Sequence, residues 1–151
     1  NEQNISTGKL WELIFTDKSI PMSMNPSEDD AIFVSQSRTI KKLASQEPCV
    51  IIGRCANWVL KDNKNGFHVF VCSDIKDAVG RVVGYINSDS EKAKEQILKI
   101  NKARANHYWQ YTGSYWTDAR NYDLVVNSSK ISIDEIVDII CNNVKKSYSL
   151  T

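Results

Sequence analysis

The stretch FHVFVCSDIKDAVGRV, residues 67–82, changes its periodicity halfway along. Phe67 to Cys72 is rich in Val and Phe and does not alternate, as in a strand covered on both faces. From Ile75 the apolar positions are Ile75, Ala78, Val79, Val82, Val83 and Ile86, spaced i, i+3, i+4, i+7, i+8 and i+11, which gathers them on one face of a helix. Asp74 stands where an N-cap belongs. A buried strand running into an amphipathic helix is half of a βαβ unit, so partners parallel to it are sought outward along the chain.

Two further apolar runs qualify, Cys49 to Ile52 and Leu124 to Asn127. Upstream of the first, Asp30 to Gln46 reads as a helix carrying Phe33, Ile40, Leu43 and Ala44 on one side, and Pro48 ends it. Ser88 with Glu91, and Ser132 with Glu135, have capping-box spacing at two more helix starts. The last helix is expected to bury Ile133, Ile136, Val137, Ile140 and Val144. The opening Ser6 to Phe15 reads as a capped amphipathic helix, and Lys18 to Asp29, with Pro21 and Pro26, as a loop. Strands alternating with helices predict an α/β fold with the three runs as parallel neighbours in one sheet flanked by helices.

Composition narrows the function classes. A chain of 151 residues with 42% hydrophobic and 25% charged residues suits one globular domain that buries roughly 70% of its unfolded surface. Its 19 Lys and Arg against 18 Asp and Glu disfavour a protein whose whole surface is a nucleic-acid footprint. No apolar run has bilayer length, and the N-terminus lacks a signal-peptide layout, so a cytoplasmic location with no membrane partner is expected. Cys49, Cys55, Cys72 and Cys141 form no C-x-x-C pair and read as reduced structural thiols. His68 and His107 are not at zinc-ligand spacing, so no metal site built wholly from side chains is expected.

Ligands of open α/β sheets bind beyond the carboxyl ends of the strands. Gly53, Arg54 and Cys55 follow the first run, with Arg54 offering a planar fork for a phosphate or carboxylate. A second candidate is Lys99 to Asp123, where Tyr108, Trp109, Tyr111, Tyr115, Trp116 and Tyr122 interleave with Lys102, Arg104, His107 and Arg120. Basic groups neutralise phosphates and aromatic faces stack on bases, so a nucleotide satisfies both. Two other readings remain open at this point: rings packed as the core of a long connection, and a single-strand nucleic-acid binding module, which the near-neutral charge disfavours.

Four segments together, PCVIIGRCANWVL (48–60), FHVFVCSDIKDAVGRV (67–82), INKARANHYWQYTGSYW (100–116) and NYDLVVNSSKISIDEIV (121–137), resemble the cytidylate kinase-like family of P-loop nucleoside monophosphate kinases. The resemblance runs in order from about Asp30 to Val144. It implies a three-layer P-loop NTPase-like fold, a parallel sheet flanked by helices, over one domain spanning 1–151 with a lid at 99–123. It also implies phosphoryl transfer from ATP, with Mg2+, to a nucleoside monophosphate, CMP among the candidates. By the same resemblance Gly53, Arg54 and Asn57 would bind the acceptor, and Arg81, Lys102 and Arg104 would be the lid-side cations around the transferring phosphates. Relatives commonly carry an acidic residue at the positions of Asn57 and Asn101, and an Asp at that of Cys55; an amide keeps hydrogen bonding without the charge.

A phosphate loop of the form G-x-x-x-x-G-K-[ST] is expected of such a kinase. Gly8-Lys9 is the only Gly-Lys pair, but Leu10 follows it and Gln3 stands at the first glycine position. The domain therefore reads as N-terminally incomplete, and the chain opens with Asn1. The competing reading is a catalytically silent nucleotide- or anion-binding protein of the same fold.

Overall fold

Short-range chemistry explains most of the elements in the structure, a computed structural model that describes residues 28–86 and 89–148. The expected opening helix Ser6 to Phe15, most of the loop after it, and Ser88 of the first capping box lie outside the described residues. The chain divides into two compact units, Asn1–Asn63 and Lys64–Thr151.

In the first unit, α1 (Glu28–Gln46) opens with Glu28, Asp29 and Asp30, acidic groups that suit the positive end of a helix dipole. Ala31, Phe33, Val34, Ser37 and Ile40 are its buried residues. The Ser37 hydroxyl is satisfied there by donating to Phe33 O at 2.8 Å. A single turn, α2 (Ala56–Val59), packs against α1 and brings Trp58 to 6.4 Å, centroid to centroid, from Phe33. Lys61 Nζ lies over the Trp58 ring at 5.0 Å.

The second unit holds two parallel strands, β1 (Val69–Cys72) and β2 (Leu124–Asn127), in the register Val69↔Leu124 to Cys72↔Asn127. Asp123 N and Leu124 N donate to His68 O at 2.8 and 3.1 Å, and His68 N donates to Asp123 Oδ2 at 2.7 Å, which locks the start of the ladder. Between the strands run α3 (Ile75–Ile86) and α4 (Ser90–Thr112), packed against each other. The Asp89 side chain caps α4 by accepting from Glu91 N at 3.2 Å. Gly113, with φ 66°, ends the helix in the left-handed region, its N–H donating to Trp109 O. A 3₁₀ turn, Ala119–Asn121, leads into β2. Last comes α5 (Ile133–Tyr148), whose Ser132–Glu135 capping box forms as its spacing predicts: Ser132 Oγ donates to Glu135 Oε2 at 2.8 Å and accepts from Glu135 N at 3.3 Å. Tyr148 Oη ties the far end of α5 to Gly66 O at 2.8 Å.

The structure corrects four expectations. Cys49 to Ile52 is neither strand nor helix; Val50 is 92% and Ile52 89% exposed. β-branched composition favours a strand, but a strand forms only against a ladder partner, and no described residue supplies one. The sheet therefore has two described strands rather than three. The Asp74 carboxylate does not cap α3: it accepts from Asn127 Nδ2 at 3.4 Å and faces Lys130 Nζ at 3.6 Å, tying the two strand ends together. On α5 only Ile136 is buried, while Ile133 and Val137 are 60% and 51% exposed, because periodicity records which residues share a face and not what covers it. Among the described residues no helix is long and apolar enough to cross a membrane.

Candidate functional site

Gly53, Arg54 and Cys55 are three consecutive residues in the left-handed region, with φ of 71°, 56° and 53°. Ala56 N closes the turn on Gly53 O at 3.0 Å. Glycine adopts this conformation freely, whereas Arg54 and Cys55 each sit in a region costing roughly 1–2 kcal/mol, strain of a kind concentrated at functional sites. The turn leaves Arg54 exposed and Cys55 buried, and burial pushes the Cys55 thiol up to about 11. Cys55 is thus an inert packing thiol, whereas Cys49 and Cys141 are exposed and depart from the structural role expected of all four cysteines. Asn57 follows on α2, half-buried.

Arg81, Lys102 and Arg104 belong to the second unit, Arg81 on α3 and the other two on α4, all exposed. Arg81 Nη2 donates to Ser128 Oγ at 3.5 Å, directly beyond the carboxyl end of β2. Arg104 Nη1 donates to Asn101 Oδ1 at 3.3 Å, one turn back on the same helix, so the amide at 101 does retain hydrogen bonding to a cation.

The polar residues at the ends of the strands form a network that residue-by-residue reading missed. Ser129 Oγ accepts from Asp74 N at 2.8 Å, Ser129 N donates to Asn127 Oδ1 at 2.9 Å, and Lys130 pairs with Asp74. The rule that selected Arg54, a polar residue directly after an apolar run, selects Ser128 to Lys130 after β2 as well.

The aromatic segment is partly core and partly surface. Phe70 of β1 stacks on Tyr122 at 5.0 Å and meets the Trp116 ring edge-on at 5.7 Å, and Tyr108 is buried. Trp109 and Tyr115, 4.8 Å apart, are exposed. The turn between them is held by Asn121 Nδ2, which donates to Ser114 Oγ and Tyr115 O, and by Tyr122 Oη, which donates to Trp116 O at 2.6 Å. The packing reading therefore accounts for Tyr108, Trp116 and Tyr122; Tyr111 meets His107 edge-on at 4.8 Å, and Trp109 and Tyr115 are the exposed rings.

Cations and hydroxyls thus stand beyond the carboxyl end of a parallel strand pair, the edge at which open α/β sheets bind ligands. A model of the cytidylate kinase-like family matches residues 3–130, and the chain belongs to that family. It is 31% identical over 104 residues to a cytidylate kinase of Sulfurisphaera tokodaii, covering 68% of this chain and 57% of that protein. It is 25% identical over 120 residues to a cytidylate kinase of Desulfurococcus amylolyticus, covering 79% of this chain and 64% of that one. An 88-residue match at 26% identity, covering 58% of this chain, takes up 18% of an S-adenosylmethionine-dependent nucleotide dehydratase of Lacinutrix mariniflava. The chain thus spans less than two thirds of the length of these relatives. In structure it is similar to an uncharacterized protein from Eubacterium ventriosum, with a TM-score of 0.78 and 28% identity over 93% of this chain and 82% of the other.

Proposed function

We propose that the chain is the phosphate-handling part of a nucleotide kinase of three-layer P-loop NTPase-like architecture. In the first unit Gly53, Arg54 and Asn57 bind a nucleoside monophosphate, and in the second Arg81, Lys102 and Arg104 bind phosphoryl oxygens. The observation that supports this reading is Arg81, a cation oriented at the carboxyl end of two parallel strands, where phosphoryl oxygens gain most from fixed positive charge. Lys102 and Arg104 ride an exposed stretch of α4 ahead of a tightly hydrogen-bonded turn, which suits a lid over 99–123 with a firm root.

The family implies ATP and magnesium. Among the described residues no group of three or more His, Cys, Asp or Glu is placed to hold a metal ion, and the Gly8-Lys9 pair lacks the rest of a phosphate loop. The cations described suit phosphate oxygens, and the proposal for this chain concerns that anion.

Calorimetric titration of CMP, UMP and AMP tests it. Arg54→Lys keeps the charge but loses the bidentate fork, and about tenfold weaker monophosphate binding is expected, the equivalent of one charge-assisted hydrogen bond. Unchanged binding in Arg54→Lys, or no binding by the parent chain, overturns the assignment. Asn57 and Asn101, amides where relatives commonly carry acids, favour a second reading as a silent nucleotide binder. Binding without phosphoryl transfer in a longer form that includes a phosphate loop would select it.

A further inference from the structure

Ser128 is the first residue beyond β2, and its contacts leave its hydroxyl only one role. Its N–H and its Oγ–H both point to the last carbonyl of β1, Cys72 O, at 2.9 and 3.0 Å. A hydroxyl has one proton, so with that proton given to Cys72 O the oxygen faces Arg81 Nη2, at 3.5 Å, as an acceptor. The oxygen is anchored on both sides, by the β1–β2 ladder and by the Asn127–Asp74–Ser129 bonds of the adjoining turn.

Two other cations of this unit, Lys130 just beyond β2 and Arg120 in the turn before it, are held differently. Lys130 faces the Asp74 carboxylate and Arg120 the Asp118 carboxylate, so each has its charge offset locally. Arg81 has no carboxylate within ion-pair distance among the described residues. A neutral acceptor orients a guanidinium without neutralising it. At 3.5 Å the contact is longer than an ordinary N–H···O bond, so it steers the fork weakly and leaves the remaining N–H groups for a ligand.

Building on the kinase-like reading above, we infer that Ser128 is a positioning residue. It biases the Arg81 guanidinium toward the carboxyl edge of the sheet, so that a phosphate meets a cation that has already lost part of its rotamer freedom and none of its charge. Exposed arginines lose that freedom on binding, so pre-ordering appears as affinity.

The test has one readout that needs no ligand and one that does. In the first, side-chain 15N NMR of Arg81 reports restricted Nε–H motion in the parent chain, faster motion in Ser128→Ala, and restriction regained in Ser128→Thr. Equal motion in all three overturns the positioning role itself. In the second, pyrophosphate is titrated into the parent chain, Ser128→Ala, Ser128→Thr, Arg81→Ala and the Arg81→Ala/Ser128→Ala pair. A threefold to tenfold loss in Ser128→Ala, recovery in Ser128→Thr, and no loss beyond that of Arg81→Ala in the double variant are expected. A Ser128→Ala loss that persists in the Arg81→Ala background overturns the inference, since Ser128 would then act on the fold or the ligand directly. If the parent chain and Arg81→Ala bind alike, it is the phosphate reading of Arg81 that fails, with the NMR result still deciding whether Ser128 orders it.

Discussion

Asp118 and Arg120 form a two-pronged pair, Arg120 Nε donating to Asp118 Oδ1 at 2.9 Å and Nη2 to Oδ2 at 2.6 Å. The carboxylate also accepts from Arg120 N at 3.0 Å, capping the 3₁₀ turn that delivers the chain into β2.

The pair sets a pH signature. The Arg120 side-chain hydrogen bonds, then its backbone N–H, lower the Asp118 carboxyl to about 2. A lowered folded value means a stabilising contribution present above the unfolded carboxyl value of about 3.9 and lost as pH falls toward 2. Carbon-detected NMR titration is expected to give a midpoint near 2 for Asp118, returning toward 3.9 in Arg120→Ala; an ordinary midpoint in the parent chain shows the pair is not formed in solution.

Cysteine labelling separates buried from exposed thiols. Cys49 and Cys141 are exposed, whereas Cys55 is 7% exposed and raised to about 11 by burial. Iodoacetamide at pH 8 should modify Cys49 and Cys141 first, and Cys55 only when denaturant opens the first unit. Early modification of Cys55, read by peptide mass, would contradict its placement.

Gly113 ends α4 with a positive φ, and a Cβ added there meets nothing within 4 Å. The cost of Gly113→Ala is therefore backbone conformation alone, about 1–2 kcal/mol in urea unfolding, with Gly113→Asn costing less. Equal stability of all three would mean that the helix ends elsewhere.

Hydrogen exchange tests the proposed lid. Amides of Lys102 to Trp116 are expected to exchange faster than those of β1 and β2, and to slow when a nucleotide that binds is added. Protection equal to the strands with no response to nucleotide would make the segment core and remove Lys102 and Arg104 from the site.

Local rules settled a definite part of this protein from the sequence alone. Val69 to Cys72, within the run that begins at Phe67, and Leu124 to Asn127 form parallel partners, the Ser132–Glu135 box closes on itself, and four ordered motifs place the chain in its family. Each depends on residues a few positions apart or on composition that either strand face tolerates. Tertiary structure alone decided the rest. Cys49 to Ile52 has strand chemistry but needs a neighbour's amides; Asp74 has capping chemistry but finds Asn127 and Lys130, more than fifty residues away, in place of its own helix. Arg81 acquires its orientation from Ser128, a contact across 47 residues that no local spacing encodes. Hydrogen-bond partners and covering surface are properties of the folded neighbourhood, and a side chain's local preference yields to whichever partner the fold brings within reach.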